Sequence, residues 1–397
     1  MNKILKHFFL LTLSTGLLLT GCKKEEGCTD ELATNYDADA EEDDDSCEYD
    51  TTPPVDPCNF GDYCFSRDGE TTVSFGGQTT RLNQLSEITS YMKTANNGEV
   101  VSAAQLREMF SNNNGTGSTF FSDDANDASK QLKSKTFVTF QADYESLMDD
   151  MQVASESTST GSNGTAGVVV STTNSSKQYL FNANGFEHTQ LIEKGLMGDC
   201  FYYQAMDGYI AGVLAQSYGN EILEGKNYTE NEHKFDEAFG YLGIPTDFLT
   251  NTGGARFHGK YGNSRDGVLG TNSIFNDFLE IRQAITDGDQ AQIEIMMPSI
   301  RLEWHKIIAG TAVHYLNAAL NNIDDPALKM HELSEAYAFI GNLVHSTDAY
   351  SISIAQRDEC RALLGDNFYE TTTADVNAAK EWLIANTAIT LIQSANL

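Results

Sequence analysis

Basic side chains are scarce in this sequence. Lysine and arginine number 25 against 57 aspartates and glutamates, a formal charge of -32 over 397 residues. Nucleic-acid binding draws its affinity from basic groups, so a phosphate backbone is excluded as a natural partner. The acidic excess repels anionic headgroups and gathers cations at the surface without choosing among them. Long apolar runs are lacking too: the uncharged stretch 8–19 falls short of the ~20 residues a membrane-spanning helix needs, and nothing later is apolar enough to span. Also missing are a Gly-x-Ser-x-Gly elbow and a phosphate-cradling glycine loop followed by Lys and Ser or Thr. His331-Glu332-Leu333-Ser334-Glu335 begins like the zinc metalloprotease helix but sets Glu335 where the second histidine belongs. A glycosidase-like carboxylate pair leaves no trace in a sequence with so many carboxylates.

What is present begins with an address. Lys3 and Lys6 precede the apolar stretch, which ends in Leu17-Leu18-Leu19-Thr20-Gly21-Cys22. This is the basic n-region and short h-region of a secretory signal. It resembles a bacterial lipobox, which implies removal of residues 1–21 and a diacylated Cys22 as the new N-terminus and anchor. Lys23-Lys24-Glu25-Glu26 resembles the signal that sends some Gram-negative lipoproteins to the outer face of the outer membrane; the alternative is a solvated charge run. The expected location is therefore the outer membrane, lipid-anchored and exposed at the cell surface.

Without residues 1–21, 23 basic residues stand against 57 acidic ones, or -34. Six further cysteines in an exported, oxidising context permit three disulfides. Cys28 with Cys47 and Cys58 with Cys64 would close local loops, leaving Cys200 to pair with Cys360 in the main domain. Residues 28–49 resemble a short acidic, disulfide-bounded repeat of bacterial surface proteins, with Asp45 where that repeat has glycine. Asp37, Asp39, Asp43 and Asp44 offer oxygen ligands of the kind calcium accepts; the bland reading is a solvated spacer. From Lys23 to Cys58 there are 14 acidic and 2 basic residues, and Thr51-Thr52-Pro53-Pro54 adds stiff linker chemistry. Residues 22–57 thus form a disordered acidic tether, and 58–397 a domain large enough for a sizeable core.

That domain is expected to be all-α. Thr71-Thr72-Val73-Ser74-Phe75, Gly76-Gly77 and the residues to Leu82 read as a small β-hairpin across a two-glycine turn. Apolar spacing then predicts helices over 82–93, 103–110, 124–132 and 137–151, with Ser102 and Ser122 as caps. Residues 155–176, rich in Ser, Thr and Gly, read as a surface loop with a short contact at Val168-Val169-Val170. Helical pattern returns over 186–223 and 230–242, the latter stopped at Gly243-Ile244-Pro245. Glycine-rich 251–272, with Arg256, His258, Lys260, Tyr261 and Arg265, has no period and reads as a long loop, functional or mobile. Helices are expected over 274–285, 290–322 (kinked or restarted at Pro298), 326–345, 352–364 and 374–392.

Several polar sets lie on these helices. Glu303 and His314 share a face around Gly310, since eleven residues return a helix to nearly the same angle. His331, Glu335, Asn342 and His345 make a second stripe. Histidine and carboxylate at i, i+4 can hold a divalent metal, and His233 with Glu237 repeats the spacing. Hydrogen-bonded core histidines and exposed helix pairs are the competing reading.

Four segments carry a family resemblance: Val73-Ser74-Phe75-Gly76-Gly77-Gln78 leading into Arg81-Leu82, Leu191 to Gly198, Phe235 to Tyr241, and Ala312 to Asn317. They resemble an uncharacterised bacterial lipoprotein family, domain of unknown function 4856, itself similar to imelysin-like proteins. The latter similarity implies two packed helical bundles and an association with iron uptake or, alternatively, metallopeptidase activity. The imelysin hallmark Gly-x-His-x-x-Glu is altered here to Gly185-Phe186-Glu187-His188-Thr189-Gln190, which removes a nitrogen ligand and the candidate general base together. Glu187 could still offer an oxygen, while His188 would face about 100° away on a helix.

The leading expectation is a ligand-binding surface lipoprotein that captures iron, another divalent metal or a metal-containing compound, handing it to an outer-membrane transporter. Glu187, Gln190, Glu193, His233, Glu237, Glu303 and His314 are the candidate ligands. A metal-dependent hydrolase or peptidase using Glu187, Glu193 or the His233 and Glu237 pair is the alternative, and a structural or adhesion protein on a stalk is the third reading.

Overall fold

A computed structural model describes residues 25–48, 58–59, 61–113 and 115–397. Cys22 and the Thr51 to Pro54 linker lie outside the described residues. The chain divides into two units, Met1–Val55 and Asp56–Leu397.

The described part of the first unit is a small closed loop. β1 (Glu26–Gly27) pairs in parallel with β2 (Glu42–Asp43), and the Cys28–Cys47 disulfide bounds it. Its carboxylates are used in turns: Asp37, Asp43 and Asp44 each accept a backbone N–H two residues on at 3.0 Å. Asp45 takes the left-handed conformation, φ 62°. Aspartate is one of the few side chains that tolerates that region, so the turn forms without glycine.

The second unit is predominantly helical. It opens with the Cys58–Cys64 disulfide and an antiparallel pair, β3 (Ser66–Arg67) and β4 (Glu70–Thr71). The hairpin therefore precedes its expected position. Asp68 and Gly69, both at positive φ, supply the turn, and Gly76-Gly77 instead starts α1 (Gly76–Lys93). After α2 (Ala103–Ser111), capped by Ser102 as expected, the predicted helix over 124–132 is absent. There the backbone carbonyls are taken by side chains: Gln84 Nε2 donates to Ala125 and Lys130, and Asn112 Nδ2 to Asp127 and Lys130. Carbonyls satisfied this way have no need of a helical ladder.

α3 (Gln141–Ser155) is followed by β5 (Gly167–Val170) and β6 (Gln178–Phe181), an antiparallel hairpin that gives the Val168 to Val170 contact its form. α4 (His188–Leu196) continues through wide π-helical turns at Met197–Tyr202 and Gln204–Ile210 into α5 (Ala211–Leu214). Such turns recur at functional sites. Here the side chain of Asn342 enters where the helix widens: its Nδ2 donates to the Lys194 carbonyl at 3.0 Å, and a Cβ at Gly198 would come within 2.0 Å of its Oδ1.

α6 (Glu230–Leu242) begins with a Thr229–Glu232 capping box and ends at Gly243 in the left-handed conformation. α7 (Phe257–Leu269) occupies the segment read as a loop. Its glycines defeat a hydrophobic period yet are required by packing: a Cβ at Gly259 would lie 2.4 Å from Ile244, and one at Gly262 2.8 Å from Ile307. α8 (Ile274–Asp287) leads to α9 (Gln290–Asn321), which runs through Pro298 without restarting. α10 (Pro326–Asn342), α11 (Ile354–Ala362), α12 (Thr373–Asn386) and α13 (Leu391–Asn396) complete the chain, the break at 387–390 splitting the last predicted helix.

The expected Cys200–Cys360 bridge is not formed. Both thiols are free and fully buried, Cys200 beside the Leu132 carbonyl at 3.8 Å and Cys360 beside that of Ala379 at 4.0 Å. Each serves as a small core side chain in its own neighbourhood.

Candidate functional site

The N-terminus of α4 and one face of α10 build a polar cavity of about 700 Å³, closed by residues of β6 and α7. Gly185 sets the approach. At φ 80° it turns the chain into α4, and a Cβ there would meet Met330 Sδ at 2.4 Å, so only glycine lets α4 start this close to α10. Two residues on, Glu187 occupies the cap position of α4, but its carboxylate makes no capping bond. Instead Oε2 lies 2.6 Å from His331 Nδ1 on α10, while Oε1 accepts from Gln190 Nε2 at 3.2 Å. The Glu187 backbone N–H donates to Ser334 Oγ at 3.0 Å, locking the two helices together.

His331 is held between carboxylates, with Nε2 3.5 Å from Glu335 Oε2, and Tyr179 stacks on its ring at 4.1 Å. Burial alone would lower its pKa; Glu187 and Glu335 outweigh burial and raise it, favouring the imidazolium. Lys194 lies 2.8 Å from Glu193 and 3.7 Å from Glu335, with its ammonium over the Tyr261 ring. Burial opposes that charge, yet Tyr261, Glu193 and Glu335 raise its pKa well above the ordinary lysine range. Burial also raises Glu335, against the pull of Lys194 and His331, and pushes the Tyr179 phenol up to about 12, with Glu187 adding to the shift.

Lys93, Arg256 and Lys260 line the same cavity. Arg256 is fixed by Asn83 at 2.8 Å and Ser86 at 2.9 Å rather than by a carboxylate. Counting Lys194, four permanent cations face Glu187, Glu193 and Glu335, and His331 adds a fifth positive charge when protonated. A chain carrying -32 has built a cavity of net positive charge. One polar atom in its wall is unspent: Gln190 Oε1 is buried without a hydrogen-bond partner among the described residues.

Of the seven candidate ligands, Glu187, Gln190 and Glu193 share this cavity. The other four do not line it. His233 Nδ1 lies 2.9 Å from the Ser74 carbonyl, and Glu237 accepts from Gln78 and Lys234, each at 2.8 Å. Glu303 pairs with Lys306 at 2.8 Å, and His314 Nδ1 lies 2.7 Å from the Leu397 carbonyl. Among the described residues no group of three or more His, Cys, Asp or Glu side chains is placed to hold a metal ion, the tether aspartates included. His331 and Glu335, noticed in sequence as a stripe, turn out to be the partners of Glu187. Arg256, Lys260 and Tyr261 sat in the supposed loop, while Lys93, Tyr179 and Lys194 carried no sequence signal beyond Lys194 falling seven residues after Glu187 on one helix face. No helix of the described residues is long and apolar enough to cross a membrane.

Fold and cavity together define a helical domain with a polar recess of net positive charge beside a widened helix. Residues 61–383 match the family model described as Domain of unknown function (DUF4856), and the chain belongs to that family. No curated protein and no solved structure matches it.

Proposed function

We propose that this chain is a surface-anchored binding module whose cavity at Glu187, His331 and Lys194 takes a small polar anion. The observation that carries the reading is the sign of the cavity: positive in a strongly acidic chain, with its own carboxylates already paired to His331 and Lys194. A bare cation would have to displace an imidazolium and an ammonium from those carboxylates, at the cost of stranding them. A metal arriving inside an anionic chelate meets no such obstacle. The expected capture of iron or another metal therefore survives as capture of a negatively charged metal compound, with transfer to an outer-membrane transporter as the corresponding use. Gln190 Oε1 would accept a hydroxyl or amide N–H of the guest, and Tyr179 and Tyr261 would cover its faces. Anchoring through Cys22 rests on the lipobox.

Calorimetric titration of the full chain with citrate, ferric citrate, Ca²⁺ and Zn²⁺ tests the reading. Saturable binding of citrate or its ferric complex supports it; binding of the free cations alone overturns it. Chelator-sensitive turnover of a peptide panel would favour the hydrolase alternative. Recovery of a Cys22→Ala chain in the membrane fraction would overturn the anchor.

A further inference from the structure

α4 is a partition between two cavities. Glu187, Gln190, Glu193 and Lys194 face the recess described above, whereas His188, Leu191 and Gly195 line a second cavity of about 410 Å³. Its opposite wall presents Arg357 and Arg361, one turn apart on and at the end of α11.

Arg361 is unusual in its surroundings. Its Nε donates to the Tyr337 carbonyl at 2.9 Å and its guanidinium lies 4.1 Å above the Tyr337 ring, but no carboxylate pairs with it among the described residues. Its terminal N–H groups have no acceptor there either. Burial lowers its pKa, with Arg357 adding to the shift and Tyr337, Asp199 and Tyr144 opposing it. Space for it is provided on purpose: a Cβ at Gly341 would come within 2.1 Å of Arg361 Nη2. Arg357 stands over the Phe140 ring at 5.0 Å and is paired at 2.7 Å only with its exposed neighbour Asp358.

Three acidic groups line this cavity as well, one engaged by its neighbours and two open to solvent. Asp199 accepts from Tyr144 at 2.6 Å and lies 2.8 Å from His345, and Asp143 and Asp150 are exposed. His188 is buried and held at a pKa of about 4, so it is neutral at physiological pH and brings a hydrogen-bonding nitrogen without charge. The remaining walls include Phe140, Phe186 and Tyr337.

We propose that this second cavity binds an organic carboxylate with a flat apolar body, the carboxylate received by the paired guanidinium groups of Arg361 and Arg357 and the body packed among Phe140, Phe186 and Tyr337. Two guanidinium forks match a planar carboxylate bidentately, and the aromatic walls fit the rest of such a molecule where a hydrated inorganic anion would gain nothing. The site is separate from the anion recess, and neither depends on the other being right.

Benzoate is the probe. Calorimetric titration of the full chain is expected to show saturable benzoate binding at a single site. Arg361→Lys keeps the charge but loses the fork, and should weaken binding about tenfold or more. Gly341→Ala keeps both arginines but drives the guanidinium from its place, and should weaken it as well. Lys177→Gln, an exposed change elsewhere, should leave it unaltered. Thermal melts establish that each variant is folded. The proposal is overturned if the folded wild-type chain shows no saturable benzoate binding at millimolar concentration, if inorganic phosphate at the same concentration displaces the bound benzoate, or if both Arg361→Lys and Gly341→Ala bind undiminished.

Discussion

Glu187 illustrates how a residue's type can be legible while its role is not. The segment Gly185 to Gln190 leads into the start of α4, and glycine at φ 80° there is a backbone requirement that sequence displays. The partner, His331, is 144 residues away, and no spacing rule connects them. His188 faces away from Glu187 into the other cavity, as the helical angle predicted. The pairing has a measurable consequence. With Glu187 present, His331 should titrate above the ordinary histidine value; in Glu187→Gln, burial is opposed by fewer charges, and the pKa should fall. NMR titration of the His331 ring checks this, and an unchanged value would show that Glu187 does not control it. The sign for stability follows: a raised folded pKa stabilises the fold fully below about 6.5, the unfolded value, and that contribution is lost as pH rises through the folded one.

At the level of elements, periodicity located most helices, and failed where something other than an apolar stripe decides the backbone. α7 was hidden because Gly259 and Gly262 are there for close approach to Ile244 and Ile307, and glycine reads as loop. Residues 124–132 have the apolar spacing but spend their carbonyls on Gln84 and Asn112. The opening segment is held by a buried ion network that no local pattern reveals. Arg282 of α8 reaches Asp236 at 2.9 Å, Glu232 at 3.2 Å and Thr72 at 3.0 Å, while Tyr63 and the Ser74 N–H also donate to Asp236. Arg67 adds a second contact to Glu232 at 3.0 Å. Arg282→Met would leave Asp236 and much of Glu232 buried without their main counter-charge, a loss of ~3–5 kcal/mol. Urea unfolding checks it; a change below about 1 kcal/mol, the scale of an exposed pair, would contradict the assignment.

Across the whole molecule, net charge was the most accessible property and the least informative about the site. The surface acid that excluded nucleic acid suggested metal capture, yet the cavity of the folded chain carries the opposite sign, because Lys93, Lys194, Arg256 and Lys260 converge from three distant segments. Convergence of that kind is a property of the tertiary fold. Family membership extends over residues 61–383 and so includes every residue of the recess and Arg357 and Arg361 of the second cavity. The central claim is that this positive recess selects an anion. Citrate affinity measured for the wild-type chain and for Lys260→Glu, whose side chain is exposed at the recess, tests it most directly. The account predicts binding in the wild type, weakened about tenfold or more by the reversal through loss of local attraction. Equal affinity in the two chains, or tighter binding of citrate by Lys260→Glu, would contradict it.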